Sequence, residues 1–458
     1  MPETEFGIND IFSSVKRRIF EDSYEVELEN KRLLKKTSFM YMKYAFMHRD
    51  EYLNVIGPGG AGNMETAIIS HFFANIPFSK MKRRYVLMNT TPNDMISAIV
   101  RFNPNETKYL HIVFVGLTER ENEELTEAVM LLKNAYDGNA EITEKEFYEV
   151  ERTVKKYLAK LRGGGGVFER GMKLYEKSSS FIRQLVEEMH EDSSGVDLIM
   201  TGLGGASGST ICPKVTEDIA TIDRDRLFKI IVSALKPHPA EGVVKAENYR
   251  KAVSMIKPYA DLYVEFDPLR DIPQNISFRE SLQITSFKMV QSSQLFIEAK
   301  MGSPRAIIPF DEADIDTTLG ERGKSRGTSF LLSNYIKAQN TYVKPEELIT
   351  RMIPEEIRKA DITPDAMIVS FEIPPDISVE EIMKPLTVMS QKLGLKSLTR
   401  GVLERDENIY NDLVQLGFME PPRQKEIRVA VIAVEHEDDS PIKNAGSPQV
   451  LELDDLGF

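Results

Sequence analysis

Two short apolar runs each end in a glycine-rich turn that opens directly into an apolar helical stretch, and this pattern limits the possible folds more than any other feature of the chain. The first run, Tyr52–Ile56, closes on Gly57-Pro-Gly-Gly-Ala-Gly62 and continues as a helical stretch from Met64 to Ile76. The second, Val196–Met200, runs into Thr201-Gly-Leu-Gly-Gly-Ala-Ser-Gly-Ser-Thr210 and a further helix. A strand joined to a helix by so tight a turn is the unit of a parallel sheet covered by helices. Further strands are expected at Tyr85–Met88, stopping at Asn89-Thr-Thr-Pro, and at Leu110–Val115, Phe228–Ala234 and Leu262–Phe266. The fold class predicted is α/β, with a Rossmann-like parallel sheet.

The remaining segments divide by composition. Residues 1–50 read as a charged helical extension, with no glycine between Gly7 and Gly57. Residues 51–276 form the glycine-loop domain, carrying a charged helical insert at about 117–161. The second helix of that insert starts on Thr143-Glu-Lys-Glu146, a capping box in which side chains satisfy the first free backbone N–H groups. A long helix at 277–302 leads to a smaller α+β domain at 303–436. That domain has strands at Met367–Ile373, Ser397–Leu403 and Ile427–Val434 and a helix at Val379–Leu393. Residues 437–458 form an acidic tail expected to be disordered, ending in the apolar-acidic peptide Val450-Leu-Glu-Leu-Asp-Asp-Leu-Gly-Phe458.

Composition excludes several classes. With 41% hydrophobic and 28% charged residues over 458 positions, the chain has the make-up of a folded protein with a sizeable core. A net charge of −13 repels polyanions, so neither direct nucleic-acid binding nor insertion into an anionic membrane is expected. The single cysteine, Cys212, allows no internal disulfide and no cysteine-based zinc site, and reads as a small buried side chain. Six histidines lack metal-ligand spacing. No apolar run approaches the ~20 residues of a membrane helix, and the N-terminus lacks a secretory layout, so a cytoplasmic protein is expected.

Gly57–Gly62 fits G-x-G-x-x-G between a strand and a helix. There, glycine lets the backbone approach a phosphate and the helix end offers free N–H groups. A dinucleotide site would also need an acidic residue about 20 positions on, at the end of the second strand. That strand ends Met88-Asn89-Thr90-Thr91, which sets the nicotinamide reading last. A third cluster, Gly163–Gly166, also precedes a helix; alone it fits a flexible linker equally well. Three amide-rich loops on one sheet edge can surround a polyphosphate longer than a pyrophosphate. Two decoys fail. Gly323-Lys-Ser325 lacks the first glycine of a P-loop, which would fall at Thr318, and Asp311-Glu-Ala-Asp314 spells a helicase box with no P-loop before it.

In this order and spacing the motifs resemble those of the FtsZ/tubulin superfamily of self-assembling GTPases, closest to its archaeal FtsZ form, over roughly residues 50–436. Gly57–Asn63 is similar to the first phosphate loop and Met88-Asn89-Thr90 to V-N-T-D. Gly163-Gly-Gly-Gly-Val-Phe-Glu-Arg-Gly171 resembles the loop facing the γ-phosphate, and Gly204-Gly-Ala-Ser-Gly-Ser-Thr210 the signature G-G-G-T-G-[ST]-G. Lys236-Pro-His-Pro-Ala-Glu-Gly242 looks like T-x-P-F-x-x-E-G, and Pro309-Phe-Asp-Glu-Ala-Asp314 like N-x-D-x-A-D, the loop that enters the neighbouring subunit. The resemblance implies GTP or GDP with Mg²⁺ held mainly by phosphates. The nucleotide would lie against Gly59, Gly60, Ala61, Gly62, Asn63 and Asn89, and against Gly164, Gly165 and Gly166. It would also meet Gly204, Gly205, Ala206, Ser207, Gly208 and Ser209, with Glu241 at the ribose, Lys245 nearby and Asp267 in place of a guanine-contacting asparagine.

The same resemblance makes Asp311 and Asp314 catalytic toward the next subunit's γ-phosphate, so that head-to-tail assembly into a filament would switch on hydrolysis. As surface carboxylates they otherwise read as a solvated face or a helix cap. It also implies a role in cell division or membrane constriction, and recruitment of the peptide 450–458 by a membrane-anchoring adaptor. The sequence departs from the family at Ala206, Thr210, Thr91 and Pro309, and its base contacts on the long helix (Phe278 or Phe287) do not align. Those departures keep two other readings open: a divergent paralogue that binds nucleotide as a scaffold with slow hydrolysis, and a plasmid or phage segregation filament.

Overall fold

The computed structural model describes residues 50–76, 81–191, 193–270, 277–300, 303–310, 312–417 and 419–436. All but the last residue of the expected N-terminal extension, the acidic tail with its terminal peptide, and Asp311 lie outside the described residues.

The chain alternates strand and helix from β1 (Asp50–Pro58) and α1 (Gly59–Ala74) through β2 (Met81–Asn89), α2 (Pro92–Arg101) and β3 (Leu110–Phe114). The insert follows as α3 (Glu119–Tyr136) and α4 (Glu144–Lys160), then α5 (Phe168–His190), β4 (Ser193–Gly202), α6 (Ala206–Ile222) and β5 (Phe228–Leu235). Next come α7 (Val243–Ile256), β6 (Leu262–Phe266) and the long α8 (Phe278–Lys300). The last third holds β7 (Ala306–Ile308), α9 (Glu312–Leu319), β8 (Ser325–Ser333), β9 (Ala366–Ile373), α10 (Val379–Leu393), β10 (Ser397–Glu404) and β11 (Arg428–His436).

These strands form one sheet in the order β3-β2-β1-β4-β5-β6-β8-β11-β9-β10-β7. The pairs β1–β2, β2–β3, β4–β5 and β5–β6 are parallel, as helical crossovers require. A parallel sheet covered on both faces must bury every position. Tyr85 and Leu87 accordingly face one core layer, and Val86 and Met88 the other. From β8 onward the pattern changes: β8–β11 and β11–β9 are antiparallel and β9–β10 is parallel, with a separate core beneath them. Helix α8 spans both regions, packing on α1 at one end and on β9, β10 and β11 further along.

Capping boxes start both insert helices. Thr143 N–H donates to Glu146 Oε2 at 2.9 Å while Glu146 N–H donates to Thr143 Oγ1 at 3.3 Å, and Thr118 with Glu121 starts α3 in the same way. The insert is tied to the body by Lys133. This buried ammonium donates to the Phe102 carbonyl at 2.9 Å and pairs with Asp137 at 2.8 Å. Where α8 meets the last third, another set of charges is buried. Arg305 bridges Glu298 at 2.5 Å and Glu372 at 2.8 Å, and Gln294 Nε2 donates to Glu298 at 2.6 Å. Tyr410 O–H donates to Glu372, and Arg428 stands 4.0 Å from the same carboxylate.

Candidate nucleotide site

In a sheet ordered 3-2-1-4-5-6 the chain direction of travel reverses between strands 1 and 4, and the crevice beyond their carboxyl ends is where such sheets bind ligands. The two glycine loops follow those two strands. They meet backbone to backbone: Gly59 has φ +80°, and a Cβ on it would stand 2.7 Å from Gly208 N and 2.8 Å from Gly208 Cα. No other residue type fits that contact and that conformation together.

The loops open a cleft of about 400 Å³. Helices α1 and α6 both begin at it, from Pro58 and Gly205, with no side-chain cap and no acidic residue in the first turn. The free N–H groups of two helices therefore face one space, whereas α3, α4 and α10 satisfy theirs with capping boxes. The third loop closes the side. A Cβ on Gly164 would lie 2.4 Å from the Ala206 methyl, so the extra methyl at 206 is accommodated by a glycine opposite. Asn248, nearly fully buried on α7, holds the loops in register by donating from Nδ2 to the carbonyls of Gly166 and Gly204, both at 2.9 Å. Thr90 and Ser207 hydroxyls bond at 2.6 Å, tying the end of β2 to the signature loop. Thr210 folds back on its own helix, Oγ1 donating to the Ala206 carbonyl at 2.6 Å.

Of the residues singled out in the sequence, Gly60, Ala61, Gly164, Gly165, Gly166, Gly205, Ala206, Ser207, Gly208, Glu241 and Lys245 line the cleft. Lys245 Nζ donates to Glu241. The others stand behind it. Asn63 and Asn89 are fully buried and bonded to each other at 3.1 Å; Asn63 also donates to the Gly57 and Met88 carbonyls. They brace the first loop from within. Gly59 and Gly62 are buried in the first turn of α1, Ser209 in that of α6 and Gly204 in the loop before it, with Gly204 N–H donating to Ser209 Oγ at 2.7 Å. Asp267 is engaged by Lys236 at 3.0 Å and lines a neighbouring cleft instead. Burial works against the Lys236 ammonium, but Asp267 and Glu265 outweigh it and hold its pKa above the ordinary value. Asp314 is exposed on α9, outside the cleft lining.

Asp94, Lys236 and Leu282 also line the cleft, and the motif reading had not assigned them to the site. For Asp94 a signal existed: Pro92 opens a helix, and Asp94 in its first turn must lie beside the end of β2. Leu282 carries no such signal, since only the packing of α8 brings it there.

No known family model matches the chain. A sequence relative does: cell division protein FtsZ 2 of Pyrococcus furiosus is 24% identical over 254 residues, which cover 53% of this chain. The match spans 58% of the length of that curated relative. Among solved structures, an FtsZ dimer chain from M. jannaschii superposes with a TM-score of 0.58 at 15% identity, over 89% of this chain and 92% of that one. CetZ2 from Haloferax volcanii, solved as a GTPγS-bound protofilament, superposes at 0.55 with 16% identity, over 84% and 93%. The chain has the FtsZ/tubulin fold. The resemblance read from its loops thus extends to the whole architecture, and in the FtsZ/tubulin fold this chain is a divergent example, related in sequence to an archaeal FtsZ. Among the described residues no helix is long and apolar enough to cross a membrane.

Proposed function

We propose that the chain is a self-assembling GTPase of FtsZ type, binding GTP in the cleft between β1 and β4 and hydrolysing it at a head-to-tail contact between subunits. The observation that carries the reading is the pair of uncapped helix N-termini meeting glycine loops at the crevice of an FtsZ/tubulin fold. Such an arrangement supplies N–H donors and partial positive charge for a polyphosphate and disfavours ligands without one. Asp314 stands outside the cleft lining, which fits carboxylates, with Asp311, that act on the nucleotide of the next subunit. A filament of such contacts would serve cell division or membrane constriction, with the peptide 450–458 docking to a membrane-anchoring adaptor.

The decisive experiment is the GTPase rate per subunit against protein concentration, with pelleting in parallel. A rate rising from near zero above a critical concentration, together with pelleted polymer, supports the shared site. Asp311→Ala should then abolish turnover and leave nucleotide binding intact. A flat or absent rate with bound nucleotide moves the protein to the second reading, a nucleotide-binding scaffold. The Ala206 methyl in the cleft wall and Thr91 in place of an aspartate favour that reading.

A further inference from the structure

Helix α9 carries Asp314 in its first turn and follows directly on Asp311, and a chain of hydrogen bonds fixes its other end. Thr318, fully buried, donates from Oγ1 to the Asp314 carbonyl at 2.8 Å. The hydroxyl of Thr399 on β10, also fully buried, stands 3.0 Å from the same carbonyl and 2.7 Å from the Thr318 hydroxyl. The Thr318 carbonyl in turn bonds His436 Nε2 at 3.1 Å, at the end of β11. On the other side of that ring, Nδ1 lies 2.8 Å from Asp365 Oδ1, just before β9. A carbonyl only accepts, and so does an ionised carboxylate, so the two bonds together require a hydrogen on both ring nitrogens. Burial works against the Asp365 carboxylate, but the bonds from His436 and Lys396 outweigh it and hold its pKa below the ordinary value. The other charges on the surrounding elements have partners: Lys396 reaches Asp365 at 3.2 Å, Arg326 holds Glu435 at 2.5 Å, Lys324 holds Glu321 at 2.9 Å, and Lys229 holds Asp316 of α9 at 2.7 Å.

We propose that His436 is a positioning residue for the shared hydrolytic site: its imidazolium clamps the end of α9 to the sheet, so that Asp311 and Asp314 keep their aim at the next subunit's nucleotide. The inference rests on the GTPase reading above and adds regulation by pH to it. A neutral ring has one hydrogen and cannot serve both Thr318 and Asp365, so loss of the proton slackens the clamp. It also removes a positive charge from the C-terminal end of α9, where a helix favours one. His436 stands outside the cleft lining, so nucleotide affinity is left unchanged.

The test is the GTPase rate per pelleted subunit of the full chain, from about pH 6 to about pH 8, for wild type, His436→Gln and Asp365→Asn. Titration with mant-GTP checks that each variant is folded. Glutamine keeps a donor but has no titratable proton. Wild type should therefore exceed His436→Gln about fivefold near pH 6, with the ratio closing to about one near pH 8. Asp365→Asn removes the charge that favours the imidazolium, so its rate should fall at lower pH than that of wild type. Ratios of wild type to the folded variants that stay constant across the range, as a merely structural role gives, overturn the assignment of His436 and leave the GTPase reading standing. A wild type that turns over no GTP at any protein concentration removes both.

Discussion

The proposed nucleotide cleft and the buried layer around Arg305 both depend on charge, and they handle it in opposite ways. The cleft uses backbone: two helix ends and three glycine loops leave N–H groups free at a solvent-open crevice. The layer at the junction of α8 with β9 and β11 uses side chains, and it seals them in. Glu298 and Glu372 are essentially without exposure, and the Arg305 side chain between them is 8% exposed. The first arrangement keeps unsatisfied donors for a ligand. The second sets its charges against one another out of solvent and holds the long helix against the antiparallel part of the sheet. The proposed function and the stability would thus reside in different groups, each open to being broken separately.

The largest effect should follow from Arg305→Ala, which strands two buried carboxylates. We expect it to destabilise the fold by about 3–5 kcal/mol in urea denaturation while leaving mant-GTP affinity of the folded fraction unchanged. Gly59→Ala is the converse experiment. Its methyl would strike the Gly208 backbone from a left-handed conformation, so mant-GTP binding should fall by about a hundredfold or more with little change in secondary structure. If both variants lost both properties, the separation drawn above would be wrong.

Glu65 sharpens the comparison because it lies between the two regions, on α1 against α8. Its Oε1 accepts from Ser286 Oγ at 2.8 Å, its Oε2 has no partner, and burial pushes its carboxyl up from 4.5 to about 8. The folded state therefore holds this proton more tightly than the unfolded chain. Its contribution is fully present below about pH 4.5 and is lost as pH rises through about 8. Glu65→Gln, neutral at all pH, should leave stability near that of wild type at pH 5 and raise it by ~4 kcal/mol at pH 9, read from melts at the two values. The smallest effect is expected from Asn248→Ala. It frees the Gly166 and Gly204 carbonyls and should weaken mant-GTP binding about tenfold through loss of loop register, with stability lowered by only about 1 kcal/mol.

Much of the cleft was legible in the sequence because glycine is demanded by close approach, and a demanded residue can be recognised. What the sequence does not show is the facing direction of a side chain. Asn63 and Asn89 stand in the right loops but turn inward to brace them, and Asp267 is held by Lys236. Asp94 went unassigned because the motif looks for an acid at position 91, whereas the helix begun by Pro92 brings one in from 94. The Arg305 layer left no trace in any motif. Its partner Glu372 is 67 residues away, and nothing in the sequence says that both are buried.

The amino-acid sequence by itself determined the strand–glycine–helix units and the capping box that opens the second helix of the insert. Those features follow from backbone conformations and hydrogen bonds within a few residues. Only the tertiary structure decided that the loops after β1 and β4 abut, that Asp94 lines the cleft, and that Glu65, Glu298 and Lys133 are buried. The charge state and partners of an ionisable side chain depend on which distant segments displace water from it, and that becomes defined only when the sheet closes around α8.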